Sequence, residues 1–183
     1  MPTSYPTAGQ LYVPAVNAAS GLNGGNTFTP YSNVSLTPAA TGALILDRLI
    51  LPPYSMDRAG IGYCITAFAT TAANTNAKTL SFNFGGTGAV GVAVTGGTSI
   101  ATVTTSTSAV SLYLQAYVYR TTASNQTYAG VIGIGGTGGV LGAPTTGTMT
   151  VSETGTIQVN LIVNNATTAN DSVVQFWSVA YLG

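Results

Sequence analysis

From Val110 to Val118 the chain reads Val110-Ser111-Leu112-Tyr113-Leu114-Gln115-Ala116-Tyr117-Val118, with an apolar residue at every second position. Side chains of an extended strand point alternately to opposite faces. Val110, Leu112, Leu114, Ala116 and Val118 therefore share one face, to be buried, and Ser111, Tyr113, Gln115 and Tyr117 share the other. The same period runs through Leu80-Ser81-Phe82-Asn83-Phe84, and through Ile157, Val159, Leu161 and Val163 set against Gln158, Asn160, Ile162 and Asn164. Further strands are predicted over residues 44–51, 60–70, 90–94, 100–104, 128–134, 148–151 and 173–182, with 121–147 forming a hairpin or long loop at one end. Clusters of Gly, Thr, Asn and Ser separate them, and no window carries apolar residues at helical spacing. The pattern predicts an all-β, two-sheet antiparallel β-sandwich, jelly-roll-like, over residues 44–183.

Residues 1–43 read differently. Pro2, Pro6, Pro14, Pro30 and Pro38 punctuate them, Gly21-Leu22-Asn23-Gly24-Gly25 breaks the middle, and neither period survives. Their apolar residues are widely spaced: Tyr5, then Leu11, Tyr12 and Val13, then Phe28 and Tyr31. This is the composition of an extended N-terminal arm, and these six residues are its expected anchors on neighbouring subunits.

Charge decides which chemistry is open. The 183 residues include four Lys or Arg and four Asp or Glu, 4% of the chain against a usual share of about 25%. No basic face exists to neutralise phosphates or to hold an anionic membrane, so neither nucleic acid nor membrane is an expected partner. There is no histidine and one cysteine, which removes His-based triads, His or paired-Cys metal sites and intrachain disulfides.

Gly133, Gly135 and Gly138 match a dinucleotide-loop spacing, but the following Val140-Leu141-Gly142-Ala143-Pro144 does not open the helix such a loop requires. Asn164, Asn165, Asn170 and Asp171 supply oxygens close together, yet one carboxylate is thin support for calcium, and a polar hairpin turn accounts for them. Asp47, Asp57, Glu153 and Asp171 are the carboxylates available for paired acid–base work, and turn or ion-pair roles account for them too. Cys64, between Tyr63 and Ile65, reads as a buried small hydrophobe. No catalytic, cofactor or metal site is expected.

Half of the charged residues fall within residues 44–63. Two Asp-Arg dipeptides, Asp47-Arg48 and Asp57-Arg58, flank the Pro52-Pro53 turn. A hairpin of the two flanking strands would bring Asp47 to Arg58 or Arg48 to Asp57 as structural ion pairs. Asp47-Arg48-Leu49-Ile50-Leu51-Pro52, then Met56-Asp57-Arg58-Ala59-Gly60-Ile61-Gly62, then Thr70-Thr71-Ala72-Ala73 resembles the opening strands of tailed-bacteriophage virion β-sandwich proteins, the capsid decoration (cement) and fibre modules. Tyr54-Ser55 stands where the fuller pattern has a second basic residue. The resemblance implies a non-enzymatic structural role on the capsid surface, bound to the major capsid protein as a homotrimer or other homo-oligomer. The alternative is a receptor-binding or structural module of a tail or head fibre.

A surface of Thr, Ser, Asn and Gly suits a subunit displayed in many copies, because neighbours pack without accumulating repulsion. Tyr113, Tyr117 and Tyr119, opposite the Leu112 and Leu114 face, are the expected contact residues on the sandwich itself. Ordinary packing between strands of the same sheet is their second reading, and stacking on glycans their third.

Overall fold

The computed structural model describes residues 36–106, 110–135, 140–141 and 144–182, the pair 140–141 by its backbone pairing. Its strands are β1 (Gly42–Leu51), β2 (Gly62–Thr71), β3 (Lys78–Phe84), β4 (Thr98–Thr105), β5 (Ser111–Thr122), β6 (Asn125–Gly135), β7 (Val140–Leu141), β8 (Thr145–Thr150), β9 (Ile157–Asn165) and β10 (Ser172–Leu182). No helix occurs among the described residues.

Two antiparallel sheets form. One has the order β1-β9-β3-β4; the other runs β10-β2-β5-β6, with β7 and β8 both pairing β6. The two-sheet antiparallel sandwich predicted from the alternation is the fold observed. The chain crosses between sheets from β1 to β2, β2 to β3, β4 to β5, β8 to β9 and β9 to β10, while β3–β4 and β5–β6 are hairpins within a sheet.

The alternating residues behave as the period requires. Leu112, Leu114, Ala116 and Val118 of β5 are fully buried, as are Phe82 and Phe84 of β3 and Val159, Leu161 and Val163 of β9. Trp177 and Tyr63 complete the core as its two largest fully buried side chains. Complete burial of one such aliphatic side chain contributes about 1.5–3 kcal/mol, which is why the inward register of every strand is held. Along one margin the sheets meet closely. A Cβ at Gly130 of β6 would lie 2.5 Å from the Ile100 carbonyl oxygen of β4, so only glycine fits there.

Residues 90–94 correct the sequence reading, because they form no strand. Val90 and Val92 are exposed, and Gly91, Gly96 and Gly97 adopt positive φ, so the 85–97 segment folds as a loop. It lies along the outer side of the four-stranded sheet. The Ile45 N–H donates to the Val92 carbonyl (2.9 Å), the Gly91 N–H to the Ile45 carbonyl (2.8 Å) and the Gly88 N–H to the Gln158 side chain (3.2 Å). Asn160 donates to the Gly86 carbonyl at 3.0 Å.

Packing contacts begin before residue 44. β1 starts at Gly42, and Leu36 already pairs with Val174 of β10. The expected anchors Tyr5, Leu11, Tyr12, Val13, Phe28 and Tyr31 lie outside the described residues.

Candidate interaction face

The eight charged side chains settle in four places, and most are spent internally. Asp47 accepts the Trp177 indole N–H at 2.9 Å and the Arg48 backbone N–H at 2.8 Å, while the Arg48 guanidinium donates to the Gly88 carbonyl. β1 and β2 sit in different sheets, so the hairpin that would pair Asp47 with Arg58 or Arg48 with Asp57 does not form. The physical reason is burial. Both strands carry an apolar face, and placing them in opposing sheets turns both faces to one core.

Among the described residues the ion pair is Arg120 with Glu153, Nε to Oε2 at 2.8 Å, at the end of the sandwich where β5 meets the β8–β9 loop. The Arg120 N–H is not aligned on that oxygen, so the contact is ionic in character. Gln126 ties the same site together, donating to Glu153 (3.1 Å) and the Val151 carbonyl (3.1 Å).

At the opposite end Lys78 is fully buried, its ammonium donating to the carbonyls of Asn74 (2.6 Å) and Ala72 (3.4 Å). Asp171 accepts one amide each from Asn74 and Asn76, both at 2.8 Å. Asp171 is covered by these side chains yet shallow, and its carboxyl is held below the usual value chiefly by the Asn76 hydrogen bond, with Asn74 and Lys78 assisting. The cation beside these oxygens is thus the chain's own lysine. Asn165 is used elsewhere, bonded to Ser172 and to the Ala169 carbonyl.

This leaves Asp57 and Arg58 as the exposed charged side chains among the described residues. The remaining surface divides into two unlike faces. On the four-stranded sheet the outer side shows hydroxyls, with Thr79 bonded to Thr104 and Ser99 to Thr102, both at 2.9 Å, together with exposed Ile50 and the Val90 and Val92 of the covering 85–97 loop.

The outer side of the larger sheet has no such cover among the described residues and presents five rows in register, of which Val173, Thr70, Ser111 and Gly135 form the outermost at one end and the other four follow from it. Phe176, Phe68, Tyr113 and Gly133 form the first, and Ser178, Thr66, Gln115 and Val131 the second. Ala180, Cys64, Tyr117 and Ala129 form the third, and Leu182, Gly62, Tyr119 and Thr127 the fourth. None is charged. Phe68 and Phe176 are each 37% exposed and Tyr119 38%, high values for aromatic rings.

Tyr113, Tyr117 and Tyr119 therefore point where the alternation put them. Phe68 and Phe176 extend the tyrosine row sideways, a feature no local pattern reveals because it depends on which strands pair. Cys64 corrects the sequence reading. It is half-buried on this outer face, accepting from the Gln115 amide at 3.6 Å, because its parity in β2 opposes that of buried Tyr63 and Ile65. The Tyr117 hydroxyl donates to Gln115 at 3.2 Å. The neighbouring Cys64 raises the Tyr117 phenol above its ordinary value, and burial raises Tyr113, so both rings remain neutral at physiological pH.

The face is flat, aromatic and uncharged, with a central amide and hydroxyls able to complete hydrogen bonds. Such a surface suits contact by shape and apolar area. Among the described residues no group of three or more Cys, Asp or Glu side chains converges as a metal site would require. No protein-family model matches the chain, and no curated protein matches it.

Proposed function

We propose that the protein is a non-enzymatic structural subunit of a tailed-phage virion, a capsid decoration protein that packs as a homo-oligomer on the major capsid protein. One observation carries the reading. The larger sheet turns an uncharged outer face bearing Phe68, Phe176, Tyr113, Tyr117 and Tyr119 away from the core, an aromatic cluster that the opposite side, with its hydroxyls and the isolated aliphatic Ile50, Val90 and Val92, does not have. Exposed aromatic area of this kind is the usual currency of protein contact. The resemblance of residues 47–73 to virion modules supplies the setting.

Nearly complete internal use of charge adds to this. Copies whose exposed charged side chains, among the described residues, are the adjacent and opposite Asp57 and Arg58 crowd without mutual repulsion. The test is quantitative electrophoresis of purified particles of the phage that encodes the chain. Hundreds of copies per particle are expected. Absence from the particle overturns the proposal, and a count of tens or fewer moves the protein to a fibre.

A further inference from the structure

We infer that the outer face of the larger sheet seats a second copy of this chain, the two faces packed antiparallel about a two-fold axis along the row of Ser178, Thr66, Gln115 and Val131. The inference deepens the proposed contact role of that face and rests on it, adding what the partner is and how it sits.

Charge narrows the occupant. A second copy brings the same face to this one, so any charge would be repeated across the contact, and the five rows carry none. Area agrees. Strands about 4.8 Å apart and rows about 6.8 Å apart give a plan of roughly 30 Å by 20 Å. With side-chain relief added, this is the scale of the roughly 800 Å² that each partner of a stable pair buries.

Size carries the argument furthest. A two-fold axis lying in the contact plane, across the strands, keeps each strand over its own copy and reverses the order of the rows. Phe176 and Phe68 then stand over the partner's Ala180 and the partner's Cys64, bulky on small, and the symmetry repeats this twice. Tyr113 meets the partner's Tyr117, two rings able to stack with an offset. At the ends, Tyr119 lies beside Gly62, where a Cβ would be 2.7 Å from its Cδ1, and this ring meets the partner's Thr70 and the partner's Ser111, both short.

On the axis Gln115 meets the partner's Gln115. A carboxamide holds both donor and acceptor, so it complements itself. This is the one placement in which all five rows find a facing row. Packed sheets align to within about 30°, so the facing register is closest at the centre.

The full-length chain is expected to sediment as a dimer at high micromolar concentration. Gln115→Glu and Gln115→Lys each oppose like charges on the axis and are expected to weaken dimerisation by about 100-fold or more, while their equimolar mixture restores the dimer. With benzoylphenylalanine in place of Phe68, irradiation is expected to give an adduct at dimer mass in the Gly62–Thr66 segment. A monomeric wild type overturns the inference. So does undiminished dimerisation of either charged variant, a mixture of folded variants that stays monomeric, or a Phe68 adduct formed anywhere else, its own chain included. None of these results alters the copy number per particle, which decides the virion reading separately.

Discussion

The Trp177 indole of β10 reaches across the interior to the Asp47 carboxylate of β1, joining the edge strands of the two sheets with one 2.9 Å hydrogen bond between residues 130 positions apart. Trp177 is wholly buried, so its N–H has no alternative partner in water. Asp47→Ala is expected to destabilise the fold by about 1–3 kcal/mol, the cost of a buried donor left unpaired. Urea denaturation followed by the single tryptophan's fluorescence measures it.

Asp171 makes stability depend on acid. Its folded carboxyl titrates below the unfolded value, so between those two pH values the unfolded chain binds more protons. The contribution is fully present above the unfolded value near 4 and disappears as pH falls through the lower folded one. Thermal melts from pH 7 to pH 2 are expected to show a shallower acid decline for Asp171→Asn than for the wild type. Parallel declines would show that the Asn74 and Asn76 bonds do not control the titration.

Lys78 holds the β2–β3 connection through the Asn74 and Ala72 carbonyls. Lys78→Met keeps most of the buried stem and removes the donor. A loss of about 1–3 kcal/mol is expected, with amide exchange rising first in residues 72–77. Denaturation together with peptide-level exchange checks both parts.

Gly130 marks a place where the two sheets approach closely. Gly130→Ala sets a methyl 2.5 Å from the Ile100 carbonyl oxygen and 2.8 Å from the Ala101 side chain. Backbone cannot yield as a flexible side chain does. The expected loss is about 1–3 kcal/mol, read as a lowered denaturation midpoint with unchanged slope.

For the outer face, replacing Tyr113, Tyr117 and Tyr119 together by Ser is expected to leave the fold intact and abolish self-association and particle binding. Sedimentation and co-pelleting with particles lacking the protein read the outcome. Association of the wild type is expected to change less than about twofold between 50 and 500 mM salt, since so few charges are exposed. Strong weakening by salt would mean that Asp57 and Arg58 dominate the contact.

Much of this was legible in order. The alternation in β3, β5 and β9 revealed strands, their buried sides and the outward tyrosines, because side-chain parity is a local property of an extended chain. The 90–94 reading failed because apolar alternation there coincided with glycine backbone conformations that strand geometry does not admit. The Asp-Arg pairing does not form because β1 and β2, neighbours in sequence, lie in different sheets.

Composition and period alone thus determined an all-β chain of two-faced strands with almost no charge, since both are sums over nearby residues. Which strands lie side by side was decided only in three dimensions. Backbone ladders accept almost any sequence, so the partner of each strand is chosen by the shared core. That choice sets Phe176, Phe68 and Tyr113 in one row, buries Lys78 beside Asp171, and carries Trp177 to Asp47.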